Sequence, residues 1–244
     1  MKSHSYKNFT IHEFDELVST NSHAFELANL REISDREIIL AKSQKSGRGR
    51  QSRNWSSPKG NLYFSIMLCP KVSAEKISQI SFVGITALRL AIEKIVPKNS
   101  VQVKWPNDLL IDEKKVAGLL LESKFSKNDC EFVVLGIGLN IESNPSETIF
   151  PASNLKDFGV EISAELILRN FLDEFEKIYQ NWLDFGFGGI RKLWLKNAYR
   201  FKKVISVKLD GKTLEGVFED FDEEGNLVLR CDENMMKIST ADVS

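Results

Sequence analysis

Gln44-Lys45-Ser46-Gly47-Arg48-Gly49-Arg50-Gln51-Ser52-Arg53-Asn54-Trp55 sets three arginines and two glycines between two apolar runs, residues 37–41 (Glu-Ile-Ile-Leu-Ala) and 61–68 (Asn-Leu-Tyr-Phe-Ser-Ile-Met-Leu). Both runs read as strands. The stretch between them suits neither a regular helix nor a strand, so it reads as a loop with both ends tied down. Glycine permits close backbone approach, and guanidinium forks match phosphate or carboxylate oxygens. A cationic loop held this way predicts capture of a small anionic ligand. A surface patch for nucleic acid is the competing reading. Trp55 and a single lysine, Lys45, accompany the arginines, which favours ligand clamping.

Upstream of the loop, residues 9–14 (Phe-Thr-Ile-His-Glu-Phe) read as an opening strand, and Asn21 or Ser22 as the cap of a helix through Phe25, Leu27, Ala28 and Leu30. Downstream, Ser73 is a good cap for a helix over about 74–95. Its stripe is Ile77, Ile80, Gly84, Leu88 and Ala91, and Pro97 and Asn99 end it. Residues 101–105 alternate like a half-buried strand that stops at the turn Pro106-Asn107-Asp108. Residues 109–111 and 116–122 pair across 112–115, and a strand over 132–141 follows the turn Lys127-Asn128-Asp129.

Consecutive hairpins predict an α+β fold with a mixed, mainly antiparallel sheet packed with helices, not a doubly wound one. Residues 144–154 are polar and proline-punctuated and read as a mobile loop, with Phe150 its large apolar residue. Helices follow over 164–182 and 190–199. Then short strands (204–209 and 213–218 around Asp210-Gly211, 227–231, 235–239) read as a small β-barrel. The expected division is 1–199 and 200–244.

Composition narrows the function. Lys and Arg (33) nearly balance Asp and Glu (34), so bulk charge gives no reason to expect DNA or RNA as the main partner. Cys69, Cys130 and Cys231 are odd in number and widely spaced, which fits free thiols in a reducing compartment better than disulfides or zinc. His4, His12 and His23 form no metal motif, so no protein-held metal is expected. Residues 1–9 lack a secretory core, and no apolar run is long enough to cross a bilayer. A cytoplasmic protein without membrane attachment is the expectation.

Four further segments carry chemistry-bearing residues, each with a bland reading beside it. Ser19-Thr20-Asn21 supplies hydroxyls and an amide, and alone suits a helix cap. Lys104-Trp105-Pro106-Asn107-Asp108 suits a strand end and turn. Lys115, before Val116-Ala117-Gly118, suits a solvated lysine at a hairpin, as does Lys114. Gly136-Ile137-Gly138-Leu139-Asn140 has the start of a dinucleotide fingerprint, but lies in a strand pattern and has Ile141 where the third glycine belongs.

Together and in this order, these segments resemble the biotin protein ligases. That family carries a Gly-Arg-Gly-Arg loop leading to Arg-x-Trp, matched by Gly47, Arg48, Gly49, Arg50, Arg53 and Trp55. It also carries Lys-Trp-Pro-Asn-Asp (Lys104 to Asp108), Lys-x-Ala-Gly (Lys115 to Gly118) and Gly-x-Gly-x-Asn (Gly136 to Asn140). Ser19, Thr20, Asn21 and Gln44 match as well, and a small C-terminal domain stands where the family has one.

The resemblance implies a catalytic domain like that of class II aminoacyl-tRNA synthetases with an SH3-like C-terminal barrel. It implies biotin, ATP and Mg2+ as reactants. The product is biotinyl-5′-AMP, whose biotin passes to a lysine of a biotin carboxyl carrier protein domain, as in acetyl-CoA carboxylase or a related carboxylase. Ser19, Thr20 and Gln44 would hold the ureido ring; Arg48, Gly49 and Arg50 would close over tail and phosphate. Lys115 would sit between carboxylate and α-phosphate, Asn140 would help place the nucleotide or its metal, and Phe150 or Pro151 would cover adenine. Asp108 would orient or deprotonate the incoming amine, or serve metal or ribose. Homodimerisation is implied too. The chain begins almost at its catalytic strand, so no DNA-reading repressor module is expected. A lipoate or octanoate ligase, with the same catalytic architecture, and a non-catalytic nucleic-acid-binding protein are the alternatives.

Overall fold

The computed structural model describes residues 2–243 apart from Pro97, Asn128, Glu147, Ile149, Asp210, Gly211 and Thr240. Its elements in chain order are β1 (Lys2–Tyr6), β2 (Phe9–Phe14), α1 (Thr20–Leu30), β3 (Glu37–Ala41), β4 (Gly47–Arg48), β5 (Asn54–Trp55), β6 (Leu62–Leu68), α2 (Gln79–Glu93), β7 (Val101–Lys104), β8 (Asp108–Ile111), β9 (Lys114–Ser126), β10 (Asp129–Leu139), α3 (Ala164–Phe185), α4 (Phe187–Lys196), β11 (Val204–Leu209), β12 (Lys212–Phe221), β13 (Leu227–Cys231), β14 (Asn234–Ile238) and β15 (Asp242–Val243). Among the described residues, eight strands form one sheet in the order β1-β2-β3-β6-β10-β9-β8-β7. Neighbours run antiparallel except β2 and β3, which are parallel because α1 carries the chain back between them.

Strand alternation explains the layers. Successive side chains point to opposite faces, so Ile38, Leu62, Phe64, Ile66, Val133 and Leu135 enter a large core, while Ile39, Met67 and Val134 join Ala24 and Ala28 of α1 in a smaller one. β6 is buried along its whole length, as its apolar run requires. Among its side chains, Ser65 is a fully buried hydroxyl. It lies on the α1 side of the sheet, opposite Gly136 of β10.

Several sequence expectations change in detail. Lys2–Tyr6 is a strand, β1, that the polar reading of residues 1–9 missed; it is an edge with little to bury, so no apolar alternation marks it. The cap of α1 is Ser19, whose side chain accepts from the Ser22 amide, and not Asn21 or Ser22. The helix expected over 74–95 is a short 3-10 turn followed by α2, and Ser73 makes no side-chain cap. Its expected stripe is buried nonetheless. Pro97, Asn128 and the Asp210-Gly211 turn lie outside the described residues. The expected barrel is a five-stranded antiparallel sheet, β14-β13-β12-β11-β15, with no ladder joining its ends among the described residues. All three cysteines are free, and no helix among the described residues is long and apolar enough to cross a membrane.

The C-terminal sheet docks through an aromatic cluster. Phe82 of α2 stacks on Phe221 at 4.7 Å between ring centroids, and Phe187 and Trp194 close around both. Polar ties frame the cluster: the Trp105 indole donates to Gly225 O at 2.9 Å, and Gln79 Nε2 to Glu223 O at 2.6 Å. Gly225 has φ +84 with the Phe82 ring against its Cα, so a side chain there is excluded twice over. The buried core therefore runs continuously from the large sheet into the small one. Phe82→Ala should lower stability by about 3–5 kcal/mol, read as a reduced midpoint in urea denaturation. An unchanged midpoint would mean that the junction is not part of the cooperative core.

Candidate active site

Two adjoining cavities open beneath the basic loop. The first is lined by Thr20, Gln44, Arg48, Arg50, Asp108, Lys115, Gly118 and Gly138 among others; the second by Arg53, Lys104, Asn140, Phe150, Lys208 and Val243. Trp55, Arg53, Asp108, Lys104 and Lys115 line both. Asp108 is the one acidic side chain in either lining among the described residues. A chain of net charge −1 thus concentrates cations around one shared cleft, which fits anionic ligands.

The loop itself is a narrow hairpin. β4 and β5 pair Gly47 with Trp55 and Arg48 with Asn54, across a 3-10 turn over Arg50–Ser52. The expectation that no strand forms here is corrected: two short paired segments suffice to close the loop onto itself. Gln51 and Ser52 sit at φ 53 and 57, a left-handed backbone that costs a non-glycine residue energy. Gly47 is required by contact. A Cβ there would meet Trp55 O and Ser57 Oγ at 2.5 Å, so the strands of the hairpin could not approach.

The floor of the first cavity is a buried polar chain. The Thr20 amide donates to Gln44 Oε1 at 2.8 Å, Gln44 Nε2 donates to Ser57 Oγ at 2.8 Å, and Ser57 Oγ donates to Trp55 O at 2.9 Å. In the other direction Thr20 Oγ1 lies 2.8 Å from Ser65 Oγ, which donates to Asn21 Oδ1 at 2.6 Å. Asn21 Nδ2 donates to Glu122 Oε2 at 2.9 Å, and Arg48 Nη2 donates to the same oxygen at 2.5 Å. Gly136 leaves the room for Asn21, since a Cβ there would overlap its amide.

Lys115 and Asp108 form the charged centre. Lys115 Nζ lies 2.6 Å from Asp108 Oδ1 and 5.3 Å from the centre of the Trp55 ring. Their side chains are 26% and 14% exposed, so the pair is partly shielded from water. Gly118 makes the space: a Cβ there would stand 3.4 Å from both partners and 3.1 Å from the indole. The backbone of Lys115 is clamped as well, its N–H donating to Pro151 O at 2.7 Å and its C=O accepting from Ser153 N at 3.0 Å. The segment read as a mobile loop is therefore pinned at residues 151–153. Phe150 lies with its ring centre 3.9 Å from Lys104 Nζ and 6.0 Å from the Tyr199 ring.

The structure thus gathers the sequence-nominated residues around one cleft, apart from Gly47 and Pro151, which line neither cavity, and gives them different tasks. Ser19 lines it while capping α1. Asn107 also lines it, with its amide donating to Leu119 O. Asn140 is buried and donates to Ser153 O at 3.1 Å, holding the 150s segment. Arg53 donates to Gln51 Oε1 at 2.8 Å across the loop turn. Sequence reading missed Glu122, Ser57, Ser65, Lys208 and Val243. Ser65, the one small polar side chain within an apolar strand, was a usable signal; the others depend on tertiary approach.

Comparison with known proteins bears on what occupies this cleft. Residues 14–140 match the model of the "Biotin/lipoate A/B protein ligase family", and residues 203–244 that of the "Biotin protein ligase C terminal domain". A biotin–[acetyl-CoA-carboxylase] ligase of Paracoccus denitrificans is 34% identical over 92% of this chain and 96% of its own. The chain belongs to the biotin protein ligase family. The bifunctional ligase/repressor BirA of Bacillus subtilis is 33% identical over 94% of this chain and 72% of its own length. The biotin protein ligase of Aquifex aeolicus, solved with biotin and ATP, superposes with a TM-score of 0.80 at 25% identity, covering 96% of this chain and 97% of that one.

Gly138 is the glycine of the family motif that lies against the Trp55 indole. An added Cβ would come within 2.9 Å of Trp55 Cζ2 and closer still to Nε1. Gly138→Ala should displace the indole, altering tryptophan emission in a way lost in a Trp55→Phe background. It should weaken biotin binding by about tenfold or more, because the floor of the cleft is no longer in place. Unchanged emission and affinity would remove Trp55 from the site.

Proposed function

We propose that this chain is an ATP-dependent biotin–protein ligase, with residues 1–199 carrying catalysis and 200–244 helping to close the nucleotide side. The observation that carries this reading is the Lys115–Asp108 pair at the junction of two cation-lined cavities in a chain of this family. In the first step a biotin carboxylate oxygen bonds to the α-phosphorus of ATP while the bond to pyrophosphate breaks. Two anions must meet, and Lys115 supplies a fixed positive charge where the extra negative charge develops. The Trp55 ring and the clamped backbone hold that ammonium in place before substrate arrives.

The polar floor suits a neutral, polar ring. Thr20 and Gln44 present a hydroxyl and an amide that are themselves oriented by their hydrogen bonds. Arg48, Gly49 and Arg50 would lie over the acyl tail and phosphate, with Arg53, Lys104 and Lys208 on the triphosphate side. Magnesium would enter on the triphosphate, and the lining residues offer it one carboxylate, Asp108, already in contact with Lys115.

In the second step the amine of an acceptor lysine bonds to the biotinyl carbon, AMP leaves, and a proton is lost from nitrogen. A lysine amine has an ordinary pKa near 10.4, so it arrives charged. Asp108 attracts that ammonium to the reacting carbon and receives or relays its proton. We assign the acceptor to the biotin carboxyl carrier domain of acetyl-CoA carboxylase or a related carboxylase; the Paracoccus relative, a biotin–[acetyl-CoA-carboxylase] ligase, supports this.

Pyrophosphate exchange measured with biotin, with lipoate and with neither tests the reading. Exchange should require biotin; exchange with lipoate alone would replace the substrate. Lys115→Ala should cut biotin-dependent exchange by about a hundredfold or more, and near-normal exchange would end its assignment. Arg50→Gly should keep exchange but release the adenylate, so that a biotinylation blot shows indiscriminate labelling. Undiminished selectivity there would argue that the loop arginine does not retain the intermediate.

A further inference from the structure

Glu122 stands outside the linings of both substrate cavities, yet it holds the arginine that opens the basic loop. Its Oε2 receives both Arg48 Nη2 and Asn21 Nδ2. The other end of the loop is tied by Gln44 and Ser57 to Trp55 O. One hydrogen-bonded path therefore runs from Arg48, beneath the cavity through Glu122, Asn21, Ser65, Thr20 and Gln44, and back to Trp55.

The protons on that path are fewer than its contacts. Three hydroxyl contacts, Thr20 to Gln44 Oε1 at 3.2 Å, Thr20 to Ser65 at 2.8 Å and Ser65 to Asn21 Oδ1 at 2.6 Å, share the two protons of Thr20 and Ser65. Gln44 Oε1 has a second lone pair beside the one that receives the Thr20 amide, and it takes the Thr20 hydroxyl proton at the longer distance. The single Ser65 proton is then shared between Thr20 Oγ1 and Asn21 Oδ1. A ligand group that donates to Thr20 Oγ1 competes with Ser65 there and leaves the Ser65 proton to Asn21. Asn21 Nδ2 in turn donates to Glu122 Oε2.

We propose that Glu122 is a positioning residue that fastens the basic loop in the empty protein and makes its hold on Arg48 respond to occupancy of the ring pocket. The carboxylate stands in for a ligand anion: it keeps Arg48 close to the cleft and must yield it when the acyl-phosphate arrives. This inference rests on the proposed biotin ligation for the ligand, but the tether itself exists without ligand.

The loop carries Arg48, Arg50 and Arg53, so trypsin reports its opening. Cleavage at these arginines is compared in the wild type, Glu122→Gln, Arg48→Gln and the double variant, each with and without biotin, with thermal melts to establish that all are folded. Without biotin, Glu122→Gln should speed cleavage at Arg50 and Arg53 by about twofold to fivefold, the range expected of a partly exposed ion pair. Arg48→Gln should do the same, and the double variant should add nothing further. Biotin should change cleavage of the wild-type loop and leave Glu122→Gln unresponsive. Wild-type rates in Glu122→Gln, or full additivity in the double variant, would overturn the tether. If biotin protects Glu122→Gln as well as the wild type, the coupling is wrong while the ligand assignment stands. If biotin leaves the wild type unprotected and supports no exchange, the ligand assignment fails, and the biotin-free comparison alone decides the tether.

Discussion

Lys115 is held at 2.6 Å from Asp108 by features that come from three separate parts of the chain. The β8–β9 hairpin sets the two residues on adjacent strands, Gly118 leaves the space, Trp55 lies beside the ammonium, and residues 151–153 clamp the backbone. An ion pair in this half-shielded position is strong enough to fix geometry but not so buried that its desolvation dominates. That balance matters for the chemistry. In the role proposed for it, between two anions, Lys115 is useful only if its direction is set beforehand, and here its partner is an anion already. Ligand binding then exchanges one negative neighbour for others, instead of drawing a bare charge out of water.

The second constraint is steric. Gly47, Gly118, Gly136 and Gly138 each adjoin an atom that a Cβ would strike or crowd, and three of the four contacts involve Trp55. The glycines sit on three different strands: Gly47, Gly118 and Gly138 seat the loop and its tryptophan against the sheet, and Gly136 seats Asn21. The C-terminal sheet adds to the same enclosure. Its aromatic junction with α2 and α4 brings Lys208 and Val243 to the rim of the second cavity, so the small sheet completes a wall of that cavity.

Much of this was legible in the sequence, for reasons that differ by residue. The strands of the large sheet announced themselves through apolar runs such as Ile38-Ile39-Leu40 and the alternation of 101–105. Lys104 to Asp108 and Gly47 to Trp55 were visible as turn and loop chemistry. What escaped was either polar edge structure or tertiary approach. β1 buries little, so no periodicity marks it. The caps shifted because Ser19, Asn21 and Ser22 all suit that task, and only the path of α1 over Ser65 and Gly136 decides that Asn21 turns inward. Glu122 follows an apolar strand and looks like an ordinary strand-end carboxylate. Its meaning appears only when β9 is laid beside α1 and the loop.

The energetics of the loop explain why such a carboxylate is needed. Gln51 and Ser52 in left-handed backbone cost on the order of 1–3 kcal/mol each, and three arginines in one hairpin repel one another. Against this stand the short β4–β5 pairing, the Gln51–Arg53 contact and the Arg48–Glu122 ion pair, whose arginine is 42% exposed. Partly exposed pairs contribute at most about 1 kcal/mol. A ligand that offers phosphate oxygens gives each arginine a charge-assisted bond of about 1.5–3 kcal/mol, more than the partly exposed Arg48–Glu122 pair supplies. A loop tied too firmly would not admit substrate, and one with no internal anion would have to be ordered entirely by the ligand. Glu122, weakly bound and within reach, places the loop between those limits.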